Sequence, residues 1–418
     1  MIMAKDWKLI KLKDTSLTII DGDRGNNYPK SDDFTNDGYC LFLSAKNITK
    51  NGFRLDEKQF ISKEKDNLLR KGKLKKFDII ITTRGSVGHI AFNKNIKYKN
   101  MRINSGMVIL RNNDDIINQN YIYKLFASNV IQRQIEKIAF GSAQPQLTVK
   151  EINNLKIPLP PLKEQEKIAD ILSTADEKID AITSQIQKTE ILKKGLLQKL
   201  LSEGIGHSEF KDSELGKIPE SWDVVELEKL LTFKNGVNAS KEQYGKGYRF
   251  INVLDIINNL TIKHDDIIGL VDIPEKEFEL YEVKYGDILF QRSSETRAEV
   301  GQSNVYLDKE QSATFGGFVI KGSAKQEYNP IFMNYLFKIP AIRKQITSKS
   351  GGSTRYNIGQ SSLNQVVVQL PSINEQKQIA DILSTADEKV EVLRAKKEKY
   401  EILKIGLLQK LLSGEIRC

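Results

Sequence analysis

The sequence predicts an α+β fold. Two similar globular α/β units with small twisted sheets are separated by two long antiparallel coiled-coil helices, related by a pseudo-twofold internal repeat. Three observations carry this. Glu164–Ser202 matches Glu375–Ser413 at a constant offset of 211, identical at 26 of 39 positions without a gap. Apolar residues inside both copies alternate in steps of four and three, the mark of one seam on a helix. The stretches before each copy hold short β-type runs broken by turn residues. A repeat this long marks a duplicated module.

The first helix is predicted from Ile168, Leu172, Ala175, Ile179, Ile182 and Ile186. The second repeats the seam with Ile379, Leu383, Ala386, Val390 and Leu393, then breaks it with Lys397. After a phase slip, apolar residues resume at Leu192, Leu196 and Leu200, and at Leu403, Leu407 and Leu411. Pro160-Pro161 leads into the first helix, Ser372-Ile-Asn-Glu375 offers the second a capping box, and Gly204 and Gly414 stand where each should stop. A helix of about 40 residues is roughly 60 Å long. Two such rods in one chain can bury each other's stripes, and the whole unit between them suits an antiparallel pair. Gly195 and Gly406, each costing about 1 kcal/mol against Ala inside a helix, are read as marks of close backbone approach.

The expected division is 1–160 for the first globular unit, 161–204 for the first helix and 205–217 for a polar connector. The second unit follows over 218–371, and 372–418 holds the second helix and tail. In the first unit, Asp6–Leu12 opens a strand, Asp78–Thr82 and Met107–Leu110 form two more, and Tyr121–Ile138 is a helical patch. Thr148-Val-Lys-Glu151 has capping-box spacing, and Leu155–Leu159 is strand-like. The second unit follows the same plan, with Ser221–Leu227, Tyr285–Phe290, Gly316–Ile320, a patch around Tyr335 and Ile342, and a loop Ser350–Asn357 standing for the Gly141 loop. Between these frameworks most side chains differ, which fits one scaffold carrying two different readers.

At 418 residues the chain can bury two cores. Its net charge of +10 is uneven: residues 1–160 carry +12, 161–210 carry −2, 211–370 carry −1 and 371–418 carry +1. A basic first unit is the footprint of a polyanion partner; the second needs a segregated basic face to do the same. Cys40 and Cys418 have no metal-ligand spacing and suit a reducing cytoplasm. No apolar run approaches a membrane span, and the N-terminus lacks a signal-peptide pattern.

Catalysis has no sequence support. There is no G-x-x-x-x-G-K-[ST] loop, no Gly-rich cradle for a dinucleotide or S-adenosylmethionine, and no Asn/Asp-Pro-Pro-aromatic motif. His89, His207 and His264 are scattered, and Asp32-Asp33 and Asp265-Asp266 read as solvated turns.

The chain resembles the DNA-specificity subunits of type I restriction–modification enzymes. Leu159–Ala169 and Leu370–Ala380 look like that family's entries to its two spacer helices. Leu215–Trp222 looks like its start of a recognition domain, Gly286–Leu289 like a framework strand, and Leu412–Arg417 like its ending. The resemblance covers essentially the whole chain. It implies a non-catalytic subunit whose two target-recognition domains each read half of a bipartite, asymmetric site in double-stranded DNA, with the helices as a ruler. It further implies two methyltransferase subunits methylating adenine N6, and restriction–translocase subunits in the complex. S-adenosylmethionine, ATP and Mg2+ would then sit on those partners and none in this chain. Alternatives are an autonomous DNA-binding regulator, the specificity subunit of a fused methyltransferase–nuclease system, a protein-binding coiled-coil scaffold, and an enzyme acting alone.

Base reading needs planar forks and amides; phosphate positioning needs cations and backbone N–H groups. Residues of those types in the Gly-bearing turns and loops are the DNA candidates. They are Arg84, His89, Lys94, Arg102, Gln144 and Gln146 in the first unit, and Arg292, Arg297, Lys349, Arg355, Tyr356 and Gln360 in the second. The candidate helix-pair or partner interface is Ile168, Leu172, Ile179, Leu196, Leu197 and Leu200, with Ile379, Leu383, Val390, Leu407, Leu408 and Leu411. For the leucines past the slip, closure of the helix pair is the leading expectation and reception of a methyltransferase the second.

Overall fold

The structure, a computed structural model, describes residues 7–94, 97–139 and 145–418. The chain divides into two units, one formed by residues up to Thr183 with Ala395–Cys418, the other by Ser184–Arg394.

In the first unit, strand Lys8–Lys11 pairs antiparallel with Lys156–Leu159. An antiparallel sheet runs in the order Thr18–Asp21, Met107–Arg111, Ile79–Thr82, Ile90–Phe92. Its central run Ile79-Ile-Ile-Thr82 is apolar at consecutive positions because both faces are covered. Ile79, Ile81, Val108 and Leu110 pack on Tyr121, Leu125, Phe126, Ile131 and Ile135. Ile80, Met107 and Ile109 pack instead on Leu41, Leu43, Met101 and Ile103 of a second sheet. That sheet holds Cys40–Leu43 between antiparallel Phe60–Ile61 and parallel Met101–Ile103. The helical patch is two helices, Gln119–Ala127 and Asn129–Ala139, because Ser128 turns extended and ties its hydroxyl to Leu125 O at 2.6 Å. The capping box at Thr148–Glu151 is formed in both directions.

The second unit repeats this plan. Asp223–Glu226 pairs with Val367–Leu370. Its four-stranded sheet runs Leu231–Asn235, Val319–Ala324, Ile288–Gln291, Ser303–Val305. Its three-stranded sheet again sets one strand, Tyr244–Ile251, between antiparallel Leu270–Val271 and parallel Thr314–Phe315. Helices Pro330–Leu336 and Pro340–Ser348 cover the larger sheet. The connector holds an unforeseen hairpin, Phe210–Ser213 with Gly216–Pro219. Gly216 at φ +98° permits its turn, and Ser213 Oγ donates to Gly216 O at 2.6 Å.

The long helices are continuous over Leu162–Leu200 and Ile373–Ser413. Within each unit their segments run antiparallel. In the first, Glu164 meets Arg417 and Asp176 meets Lys404; in the second, Glu190 meets Arg394 and Lys193 meets Asp387. Ile168 and Leu172 join the first core with Leu411 and Leu412, and Ile379 and Leu383 join the second with Leu200 and Leu201. Val390 is buried and Ile179 half-buried. Leu196 and Leu197 pack against the second core, and Leu407 and Leu408 against the first, so these leucines serve a globular core as well as the opposing helix. Two expectations are corrected. Leu192 and Leu403 do not continue the buried seam; they are 60% and 52% exposed. Gly195 and Gly406 mark no close approach, since a Cβ at either would meet nothing within 4 Å.

Candidate nucleic-acid interface

The loops rich in candidate residues are brought together in each unit by the same backbone hydrogen bonds. In the first unit the chain leaves Ile79–Thr82 with Thr83 N donating to Gly106 O at 2.8 Å, while Leu147 N donates to Thr83 O at 3.0 Å. Arg84 and Gln146 consequently form an antiparallel bridge. The turn beyond is held by glycines at positive φ, Gly85 at +73° and Gly88 at +84°. A Cβ at Gly88 would also stand 2.9 Å from Ile135 Cγ2.

The second unit reproduces the frame. Arg292 N donates to Phe318 O at 2.8 Å, and Ile358 N to Arg292 O at 3.0 Å. Ser293 then lies opposite Asn357, and Ser294 opposite Tyr356. Gly301 at φ +68° faces Ile346 as Gly88 faces Ile135, with 2.3 Å left for a Cβ. Asn357 exchanges backbone bonds with Gly351 at 2.8 and 2.9 Å, which shapes the loop.

The candidates fall into distinct environments. Arg84, Lys94, Gln146 and Arg355 are exposed, and among the described residues their side chains have no hydrogen-bond or ion-pair partner. Gln144 lies outside the described residues. His89 is half-buried, with Nδ1 3.3 Å from Ile48 O. Arg292 is half-buried and donates to Gly317 O at 3.2 Å. Arg297 donates to Thr347 O and Ser348 O at 3.0 and 3.3 Å, closing the carbonyl end of helix Pro340–Ser348, where Lys349 is the capping residue. Tyr356 packs on the core, and the Gln360 amide faces Phe233 O and the backbone N of Asn235, 3.2 Å from each.

Arg102 is corrected. It occupies strand Met101–Ile103, not a turn, and is 5% exposed. Its guanidinium bonds Asp66 Oδ1 at 2.5 Å and the carbonyls of Lys71, Asp66 and Leu69 at 2.6–2.9 Å. Burial opposes the charge on Asp66, but hydrogen bonds from Lys73 and Arg102 prevail and hold its carboxyl below the usual carboxylate range. Here a buried cation satisfies a buried anion.

Sequence reasoning missed Ser293, Asn357 and Phe318. A signal existed: aligning Ile79–Thr82 with Ile288–Gln291 sets Arg84 beside Ser293, and the 211 offset sets Gln146 beside Asn357. Phe318, 62% exposed, occupies the turn position that Gly106 holds in the first unit.

Among the described residues no group of three or more His, Cys, Asp or Glu could hold a metal ion, and no helix is long and apolar enough to cross a membrane. What the arrangement offers is two structurally equivalent pairs of different chemistry, a guanidinium with an amide at Arg84 and Gln146 and a hydroxyl with an amide at Ser293 and Asn357.

The model of the type I restriction modification DNA specificity domain matches twice, at residues 4–191 and 219–401. A type I restriction enzyme MjaVIII specificity subunit from Methanocaldococcus jannaschii is 26% identical over 99% of this chain and 94% of its own length. A putative type I restriction enzyme MjaX specificity subunit from the same organism is 31% identical over 74% of this chain and 71% of its length. The solved type I restriction–modification S subunit from M. genitalium shares the fold, with a TM-score of 0.56 at 16% identity, covering 97% of this chain and 96% of that one.

Proposed function

This chain belongs to the type I restriction–modification DNA-specificity family, and on that premise we propose that its two units read the two halves of one bipartite, asymmetric site. As a specificity subunit it is the non-catalytic, DNA-recognising member of its complex. One observation carries the bipartite reading: the sheet plan occurs twice on near-identical helices, while the loops meeting at Arg84–Gln146 and Ser293–Asn357 differ in chemistry. Similar scaffolds with different readers select a non-palindromic site.

The partners are two methyltransferase subunits that place a methyl group on adenine N6, joined by restriction–translocase subunits. S-adenosylmethionine serves the former; ATP and Mg2+ serve the latter. Exposed apolar residues at repeat-equivalent positions, Ile191 with Ile402 and Leu192 with Leu403, support docking of the methyltransferases on the long helices. Free Cys40 and Cys418 suit work in the cytoplasm.

The test is a genome-wide map of N6-methyladenine in cells making this chain with its methyltransferase, and in matched cells lacking it. A bipartite, non-palindromic motif that disappears with the chain is expected. An unchanged pattern, with an active methyltransferase verified, would refute the function.

A further inference from the structure

We infer that the Arg84–Gln146 pair and the Ser293–Asn357 pair are the equivalent base-reading positions of the two units, each fixing part of one half-site. The inference deepens the proposed function and rests on it. In both units the strand-end turn and the later loop are locked by matching backbone bonds, Leu147 N to Thr83 O and Ile358 N to Arg292 O, both 3.0 Å. The side chains flanking these locks, Arg84 with Gln146 and Ser293 with Asn357, lie opposite each other across a short antiparallel pairing. Backbone position is therefore constant while side-chain chemistry changes, which is what two readers of different sequences require.

The chemistry at each pair matches a base edge. Arg84 is exposed, and its fork has no protein partner among the described residues, so its donors remain available for the O6 and N7 acceptors of guanine. Gln146 beside it is equally unengaged and exposes an amide suited to the N6 and N7 edge of adenine. In the second unit Asn357 is already oriented. Ser293 Oγ donates to its Oδ1, and its Nδ2 donates to Arg355 O at 3.2 Å. One N–H and one lone pair of the amide are left over, a donor–acceptor couple that also fits adenine. By contrast Arg102 spends its guanidinium inside the protein, and Arg297 and Gln360 bond backbone groups of their own unit.

The experiment uses the full chain with its methyltransferase partner in cells, and reads the N6-methyladenine motif for each variant. Arg84→Ala with Gln146→Ala is expected to relax one half of the motif, and Ser293→Ala with Asn357→Ala the other half. The lost preference at the affected positions should be on the order of ten- to a hundred-fold. Arg84→Lys keeps the charge but removes the fork, and is expected to relax the same position as the first double variant. Asn357→Gln, which displaces an oriented amide, should do so in the other half. If these conservative variants lower methylation evenly and leave every motif position intact, the residues only position phosphates and the inference is overturned. Relaxation of the same half by both double variants overturns it too. Both outcomes differ from failure of the proposed function, in which the wild-type chain itself leaves the motif unchanged.

Discussion

Trp222 donates its indole hydrogen to Glu375 Oε2 at 3.0 Å, joining the start of the second unit's sheet framework to the first turn of the helix that follows it. Trp7 and Glu164 repeat the bond at 3.1 Å in the first unit. Each carboxylate is completed from beyond the end of the other long helix. Ile205 N and His207 Nε2 bond Glu375 at 2.9 and 2.8 Å, and Arg417 bonds Glu164 at 2.6 and 3.0 Å. Gln165 and Gln376 add matching links, each accepting from the N-cap of a helix, Asn118 or Asn329, at 2.9 Å.

Glu375→Ala strands the buried Trp222 indole. The expected loss is about 1–3 kcal/mol, the cost of one buried donor left unpaired. Urea unfolding followed by tryptophan fluorescence measures it; a change below about 0.5 kcal/mol would mean that water replaces the carboxylate at no cost.

Asp176 lies between Lys124 and Lys404. Burial opposes its charge, yet the hydrogen bonds and charges of both lysines prevail and hold its carboxyl below the ordinary value of 3.8. A lowered folded value stabilises the protein above the ordinary range and ceases to do so as pH falls through the folded one. Wild type should therefore exceed Asp176→Asn by about 1–2 kcal/mol at pH 7. The gap should close as pH falls below the ordinary carboxylate range and through the lowered folded value. A gap that persists in acid would assign the effect to packing.

Arg102→Met leaves Asp66, whose side chain is fully buried, with Lys73 as its remaining cation. Removing one partner of a buried pair costs about 3–5 kcal/mol. Thermal unfolding should fall accordingly, while the methylated motif of whatever complex still assembles stays unaltered. A changed motif would return Arg102 to the DNA-reading set.

Ile191→Ser with Ile402→Ser removes apolar surface that touches no core. Chain stability should hold within about 0.5 kcal/mol, as for ordinary surface changes. If the proposed docking holds, affinity for the methyltransferase subunit drops at least about ten-fold, as titration calorimetry of this chain with that subunit measures.

The repeat, the long helices and the central strands were legible because their signals are local: period, caps and apolar runs. Ser128 was not, because one hydroxyl folding back on Leu125 O outweighs the helical pattern around it. Arg102 was misread for the opposite reason. Its determinant is Asp66, 36 positions away, and nothing near Arg102 announces it. Gly195 and Gly406 look like contact markers in a duplicated sequence, but duplication copies a tolerated residue as faithfully as a needed one. At the interface, residue type pointed to Arg84 and Gln146. Their partnership emerged only from strand register, whereas the matching Ser293 and Asn357 could be reached by aligning the two units.

The first unit is discontinuous in the chain whereas Ser184–Arg394 is one uninterrupted stretch. On the ribosome, the middle of the protein emerges whole ahead of Leu411, Leu412 and Arg417, which the first unit still needs. The half begun earliest is thus completed last. Until translation reaches those residues, Ile168, Leu172 and the Glu164 carboxylate wait without their final cover, an interval in which a nascent chain is most open to chaperones and proteases.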